Sequence, residues 1–129
     1  DTWGVDYVLL KGDEEVLPVY AYRDSRTEKV IPQVHEKMAF SQLYSRVGCQ
    51  FQPFNTIYQL MAVKQRKPED LARAASLLMI PDYFHFKLCG QKVQEYSEAT
   101  TSQLLDPVKK NWDYDLIGKL GNKLSLFLF

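Results

Sequence analysis

The chain changes rhythm once, and the change limits the architectures open to it. Val5 to Leu10 is a β-branched and aromatic run, Gly12-Asp13 supplies a turn, and Val16 to Tyr22 returns with Val, Leu and Tyr, which predicts a hairpin. Pro18 has no N–H for a ladder, so the returning strand belongs at an edge or begins there. After residue 30, proline and glycine cut the sequence into short helices. A hairpin followed by successive helices reads as part of an α/β domain, one side of a sheet plus the helical insertion that covers it.

The helical breaks are explicit. Val30 to Lys37 carries Pro32 in its first turn, with His35 expected toward solvent. Ser41 is placed to cap the next helix, in which Leu43, Tyr44 and Val47 share a face and Gly48 is the left-handed stop. Asn55 caps a helix through about Gln65 that turns Ile57, Leu60 and Met61 inward. Pro68 opens the clearest amphipathic pattern of the chain, Leu71, Ala74, Ala75 and Leu78, with Glu69 and Asp70 at its positive end and Ile80-Pro81 as its break. The helix from Pro81 to Gly90, with Tyr83, Phe84, Phe86 and Leu88, is apolar enough to be central to the core. Gln94 to Gln103 fits a helix or an extended loop equally. Asn111 then caps Trp112 to Leu120, where Trp112, Leu116 and Leu120 form one stripe and Gly121 the stop.

The 129 residues have room for one domain with a core, and a hydrophobic content of 46% argues against disorder. Sixteen basic and sixteen acidic side chains cancel, which removes the net field that would draw the chain to nucleic acid or an anionic membrane. No apolar run reaches the roughly 18 residues needed to span a bilayer, and no basic stretch followed by an apolar one opens the chain, so a cytoplasmic protein is expected. Cys49 and Cys89 are too few for a disulfide framework and read as buried, reduced thiols. Asp1 opens directly against a strand and Leu124 to Phe129 ends on an apolar run that would be exposed unless something packed on it. The expectation is a piece of a longer chain, its residues 1–129 forming a single partial domain.

Polar chemistry gathers in Tyr20 to Thr27, where alternating aromatics give way to Arg23, Asp24, Ser25, Arg26 and Thr27. The arginine forks and a doubly accepting carboxylate suit a polyol, although a solvated turn whose charges pair with each other fits equally well. Asp1 and Asp6 flank Trp3 and Gly4 beside the first strand, either as a sugar-facing surface or as a structural turn. The glycines stand at 4, 12, 48, 90, 118 and 121, so neither Gly-x-Gly nor a Gly-x-x-x-x-Gly-Lys loop can be written and the nucleotide grip is not in this chain. A zinc site would have to draw on His35, His85, Cys49 and Cys89, of which His85 and Cys89 alone share a helical face; a metal is not expected. Cys89, beside an aromatic stripe, reads as inert rather than as half of a Cys/His nucleophile pair.

Four blocks carry a resemblance. Asp-Thr-Trp-Gly-Val-Asp-Tyr-Val-Leu-Leu at the start, Ala-Tyr-Arg-Asp-Ser-Arg-Thr from Ala21, Gln-Phe-Gln-Pro-Phe-Asn-Thr-Ile-Tyr-Gln-Leu from Gln50, and Leu-Met-Ile-Pro-Asp-Tyr-Phe from Leu78 with Leu88-Cys89-Gly90 resemble the N-terminal domain of the rhamnulokinases. These are a branch of the carbohydrate kinases with the actin-like, ribonuclease-H-like fold. The likeness runs from Asp1 to about Gly121. It implies a fragment of an actin-like ATPase domain, from an enzyme that uses ATP and magnesium to move a γ-phosphoryl group to a hydroxyl of a ketose such as L-rhamnulose. Gly4 matches the position whose backbone meets the sugar, with Thr2, Trp3 and Asp6 beside it. Arg23 and Asp24 match the Arg-acidic pair that related polyol kinases use on substrate hydroxyls.

The family's phosphate-binding glycine loop would precede Asp1, and its His-Asp-Thr segment with the catalytic aspartate would follow Phe129. Cys89 stands where the family shows threonine, a change at a helix end, and the tail after Gly121 matches poorly. The resemblance thus implies a chain that supplies sugar-binding wall only, with no catalytic residue and no ATP or Mg of its own, inactive without the remainder of the kinase chain. The alternative is a stand-alone, non-catalytic sugar-binding or interaction domain, and a third reading is a purely structural one. Rhamnulose, fuculose and xylulose are not separated by sequence.

Overall fold

Strand β1 (Tyr7–Lys11) turns through Gly12, whose φ of +60° suits a residue without Cβ, into β2 (Glu14–Glu15). The computed structural model describes residues 2–127. The return strand is these two residues, before the expected Val16 to Tyr22, none of which is strand. Val16 N still donates to Leu9 O at 2.9 Å, after which Pro18 can offer no ladder donor and the chain leaves the sheet. The alternating aromatics beyond it are therefore not a strand: Tyr20 lies over the Arg26 guanidinium and Tyr22 packs on Phe54.

Helix α1 (Ile31–Lys37) begins with proline in its first turn, as expected, but His35 turns inward. Its ring sits among Phe40, Phe51 and Tyr58, with Nε2 2.9 Å from Tyr58 Oη, and burial holds its pKa below the ordinary histidine value. Helix α2 (Phe40–Val47) starts one residue before Ser41, without a side-chain cap, and ends at Gly48 with φ +65°. Leu43 and Val47 are buried, whereas Tyr44 is on the exposed side. Helix α3 (Thr56–Arg66) is buried all round from Thr56 to Val63 and forms the centre of the main core. Asn55 stands at its start but does not cap it; the side chain accepts from Gln52 N at 2.6 Å and donates to Thr101 O at 2.8 Å.

The predicted helix across Leu71 to Leu78 is the largest departure. Helix α4 (Pro68–Arg73) ends after six residues, and Ser76–Met79 form β3, antiparallel to β1 with Tyr7, Val8, Leu9 and Leu10 opposite Met79, Leu78, Leu77 and Ser76. Leu77-Leu78-Met79 is apolar at consecutive positions, as a strand buried on both faces requires, and pairing to β1 overrides the helical spacing. Leu9, Leu77 and Met79 face the main core; Val8, Leu10 and Leu78 face α5 (Ile80–Cys89). Leu71 and Ala74 are buried as expected, but Ala75 is exposed.

Helix α5 covers the outer face of the sheet and is not central. Tyr83 and Phe86 meet the sheet, while Phe84 is 56% and Leu88 90% exposed. Neither cysteine is a buried thiol, since Cys89 is exposed and Cys49 half-buried, both free. The ambiguous segment contains α6 (Tyr96–Thr100), capped by the Glu95 carboxylate, which accepts from Ser97 N and Glu98 N. β4 (Leu105–Asp106) then pairs with β5 (Asn111–Trp112), so the cap of α7 (Tyr114–Lys119) moves from Asn111 to Asp113. Trp112, Leu116 and Leu120 are buried as predicted, and Gly121 has φ +71°. The apolar end is covered: Leu126 and Phe127 are buried, with the Phe127 ring 5.0 Å from that of Trp112. Leu128 and Phe129 lie outside the described residues, as does Asp1 of the opening turn. Among the described residues no helix is long and apolar enough to cross a membrane.

Candidate functional site

The entry to β1 is strained. Val5 is β-branched and buried yet has φ +68°, a conformation that costs about 1–3 kcal/mol and persists only where neighbours over-determine it. Its N–H donates to Thr101 Oγ1 at 2.9 Å, and its carbonyl accepts from Thr56 Oγ1 at 2.6 Å and Gln59 Nε2 at 3.2 Å. A Cβ on Gly4 would lie 2.8 Å from Thr101 Cγ2, so packing alone demands glycine there. Trp3 is 74% exposed. Together with Tyr22, Phe54, Asn55 and Thr101, the Trp3-Gly4-Val5 edge lines a mostly apolar cleft of about 380 Å³, to which Cys49, Gln50 and Gln52 also contribute. That size suits a small ligand, and the amides supply the few polar groups that orient one. Burial holds the Cys49 thiol above its ordinary pKa, so this wall presents a protonated thiol.

The Tyr20–Thr27 loop forms a second hollow. Asp24 caps the turn Ser25–Thr27 by accepting from Arg26 N at 2.8 Å, and its side chain remains 44% exposed. Arg23 is exposed and braces on Tyr22, with Nε 3.0 Å from the hydroxyl. Arg23, Asp24, Ser25 and Thr27 face Pro53 and Phe54 across a hollow of about 160 Å³. Tyr22 and Phe54, with ring centroids 5.0 Å apart, line both hollows. Arg26 does not join Arg23. It is buried, its fork bonded to Gln59 Oε1 and Ala21 O and lying over the Tyr20 ring.

The six residues expected to meet a ligand thus divide. Trp3 and Gly4 line the larger cleft, Arg23 and Asp24 the smaller, and Thr2 and Asp6 line neither. Thr2 directs its hydroxyl to Trp3 O at 3.4 Å. Asp6 accepts from Tyr22 N and Gln59 Nε2, each at 3.2 Å, and so ties the two segments together. Burial pushes its carboxyl above the ordinary value, offset in part by these hydrogen bonds and by the charge of Arg26. Sequence reasoning missed Gln59, Thr56 and Thr101. The signal for Gln59 was available, an amide among the inward residues Ile57, Leu60 and Met61 of one helix; Thr101, distant in sequence, left none. Among the described residues no three His, Cys, Asp or Glu side chains group to hold a metal ion.

Comparison with known proteins gives this geometry a context. The rhamnulokinase of Halalkalibacterium halodurans is 48% identical over 128 residues, covering 98% of this chain and 27% of that protein. Ligand-bound xylulose kinase from Lactobacillus acidophilus superposes with a TM-score of 0.82 at 23% identity, over 93% of this chain and 25% of that one. Plasmodium falciparum glycerol kinase with ADP gives a TM-score of 0.81 at 15% identity, over 96% of this chain and 26% of that one. The chain therefore spans about a quarter of the length of the relatives it matches. At these identities the solved structures establish the fold, which is the expected actin-like, ribonuclease-H-like α/β arrangement of sugar kinases. The N-terminal domain model of the FGGY carbohydrate kinases matches residues 2–127, past Gly121, where the likeness was expected to fade. With that match spanning nearly its whole length, the chain belongs to the FGGY family of carbohydrate kinases.

Proposed function

We propose that this chain is part of an ATP- and magnesium-dependent kinase that phosphorylates a ketose such as L-rhamnulose in the cytoplasm. Its 129 residues act as one partial N-terminal domain that supplies sugar-binding wall and is inactive alone. The observation that carries this reading is the convergence of two candidate segments on the Tyr22–Phe54 ring pair, Trp3-Gly4 on one side and Arg23-Asp24 on the other. The likeness to rhamnulokinases supports the choice of ketose. Phosphoryl transfer depends mostly on positioning and charge stabilisation, and positioning is what these groups offer. The Trp3 and Tyr22 faces present apolar surface to C–H groups, the Gly4 backbone allows close approach, and Arg23 and Asp24 donate to and accept from hydroxyls. The residues do not fit a nucleotide or a metal: the chain has no glycine-rich phosphate loop, and no three metal ligands group among the described residues. Both belong to the remainder of the kinase chain.

The test is an ATP-dependent phosphorylation assay on the complete protein and on residues 1–129 alone, with rhamnulose, fuculose and xylulose. The complete protein is expected to turn over L-rhamnulose with the highest kcat/KM, and the isolated chain to turn over none. Arg23→Ala and Asp24→Ala should each raise the ketose KM about 10-fold or more, the effect of losing a charged hydrogen bond. A complete protein that phosphorylates no ketose removes the reading, and so does activity in the isolated chain.

A further inference from the structure

Gln59 is 1% exposed, in the middle of a helix with apolar neighbours, yet its amide bonds residues of three segments that border the two hollows, Val5-Asp6, Arg26 and Phe54. Its Oε1 accepts from Arg26 Nη2. Its Nε2 lies 3.2 Å from Val5 O, 3.2 Å from Asp6 Oδ1 and 2.9 Å from Phe54 O. Two N–H groups thus serve three acceptors, one of them shared. Val5 follows Gly4 at the larger cleft, Phe54 lines both hollows, and Arg26 sits beneath the turn that Asp24 caps. Asp6 extends the same network to the Tyr22 amide.

We propose that Gln59 is a positioning residue that couples the Trp3-Gly4 edge to the Arg23-Asp24 loop, so that both present their polar groups to one sugar in a single register. The inference rests on the proposed sugar-binding role and adds a residue that never meets the substrate. The chemistry requires an amide. A carboxylate would keep the bond from Arg26 but set a negative charge against Val5 O, Asp6 and Phe54 O, whereas an apolar side chain would remove one hydrogen bond each from Arg26, Val5 O, Asp6 and Phe54 O. That would leave Val5 O to Thr56, Asp6 to Tyr22 N, and Arg26 to Ala21 O and Asp24. The strain at Val5 makes the coupling sensitive, because Thr101 holds the peptide before that residue through its N–H while Gln59 and Thr56 hold the peptide after it through its carbonyl.

Gln59→Met and Gln59→Glu in the complete protein test this with two readouts, ketose and ATP kinetics and amide exchange at residues 4–6 and 21–26. Gln59→Met should raise the ketose KM about 10- to 100-fold with the ATP KM within about 2-fold, since small misplacements of a substrate-holding wall have effects of that order. It should also speed exchange in both segments together. Gln59→Glu should show the same defect at about pH 8 and recover part of it, relative to the parent protein, toward about pH 5.5, where a buried carboxyl protonates and donates again. The proposal is overturned by an unchanged ketose KM in folded Gln59→Met, by faster exchange in one segment only, by equal rises in both KM values, or by failure of both variants to fold. If the parent protein phosphorylates no ketose, the sugar-kinase reading fails, while the exchange data still decide whether Gln59 couples the segments.

Discussion

Val5, Gln103 and Lys110 are the non-glycine residues with positive φ among the described ones, and Val5 is the β-branched member of the set. The Thr101 side chain bears on both Val5 and Gly4: its hydroxyl accepts from Val5 N, and its methyl group fills the volume a Gly4 Cβ would need. Gly4→Ala should therefore destabilise the protein by about 1–3 kcal/mol, the usual effect of overpacking. Adding Thr101→Ser, which removes Cγ2 and keeps the hydroxyl, should restore part of that loss, as read by thermal denaturation of the single and double variants. Asp82 is a second residue whose surroundings oppose its chemistry. Burial pushes its carboxyl up to about 6, the Glu95 amide bond and His85 offset this in part, and Oδ2 has no hydrogen-bond partner. Because the folded form holds the proton more tightly than the unfolded one, Asp82 lowers stability as pH rises from about 4 to about 6. Asp82→Asn should melt at a higher temperature than the parent above about pH 6 and gain least below about pH 4, and a pH-independent difference would refute this origin.

At the level of helices and strands, breaks were easier to read than starts. Gly48, Gly90 and Gly121 each terminate a helix in the left-handed region, and Pro68 and Pro81 each sit in a first turn, because these are properties of one residue's own backbone. Caps depend on where a side chain finds a donor. Asp113 displaced Asn111 at α7 because its carboxylate accepts from Leu116 N at 3.0 Å while Arg46 of α2 clamps it with two nitrogens, one at 2.7 Å. Asp113→Ala should cost about 2–4 kcal/mol, since it removes the cap and one of the two carboxylates that hold Arg46, the other being Asp115. Arg46→Met, which leaves the cap in place, should cost about half as much in the same urea titration. The reverse order would mean that the ion pair rather than the cap secures α7.

Across the molecule, the sheet is covered on one face by the core around α3 and on the other by α5, and the chain's last described residues close the main core. Phe127 is fully buried against Trp112, so Phe127→Ala should cost about 3–5 kcal/mol by calorimetry, as for other buried aromatics. A cost under about 1 kcal/mol would show that the apolar end is not part of the core. By itself, the sequence determined the opening turn at Gly12, the helix stops at Gly48, Gly90 and Gly121, most of the buried side chains and the polar character of the Arg23-Asp24 loop. All of these follow from the dihedral limits of glycine and proline or from hydrophobicity read over a few neighbours. Tertiary structure alone decided that Ser76–Met79 is a strand, that Arg26 turns inward while Arg23 stays outside, and that Gln59 and Thr101 meet the backbone of Val5. Each of those outcomes joins residues tens of positions apart, and a contact of that kind is set by what the fold brings alongside: an inward amide at Gln59 or an apolar run at Leu77 to Met79 marks one end, but neither names its partner.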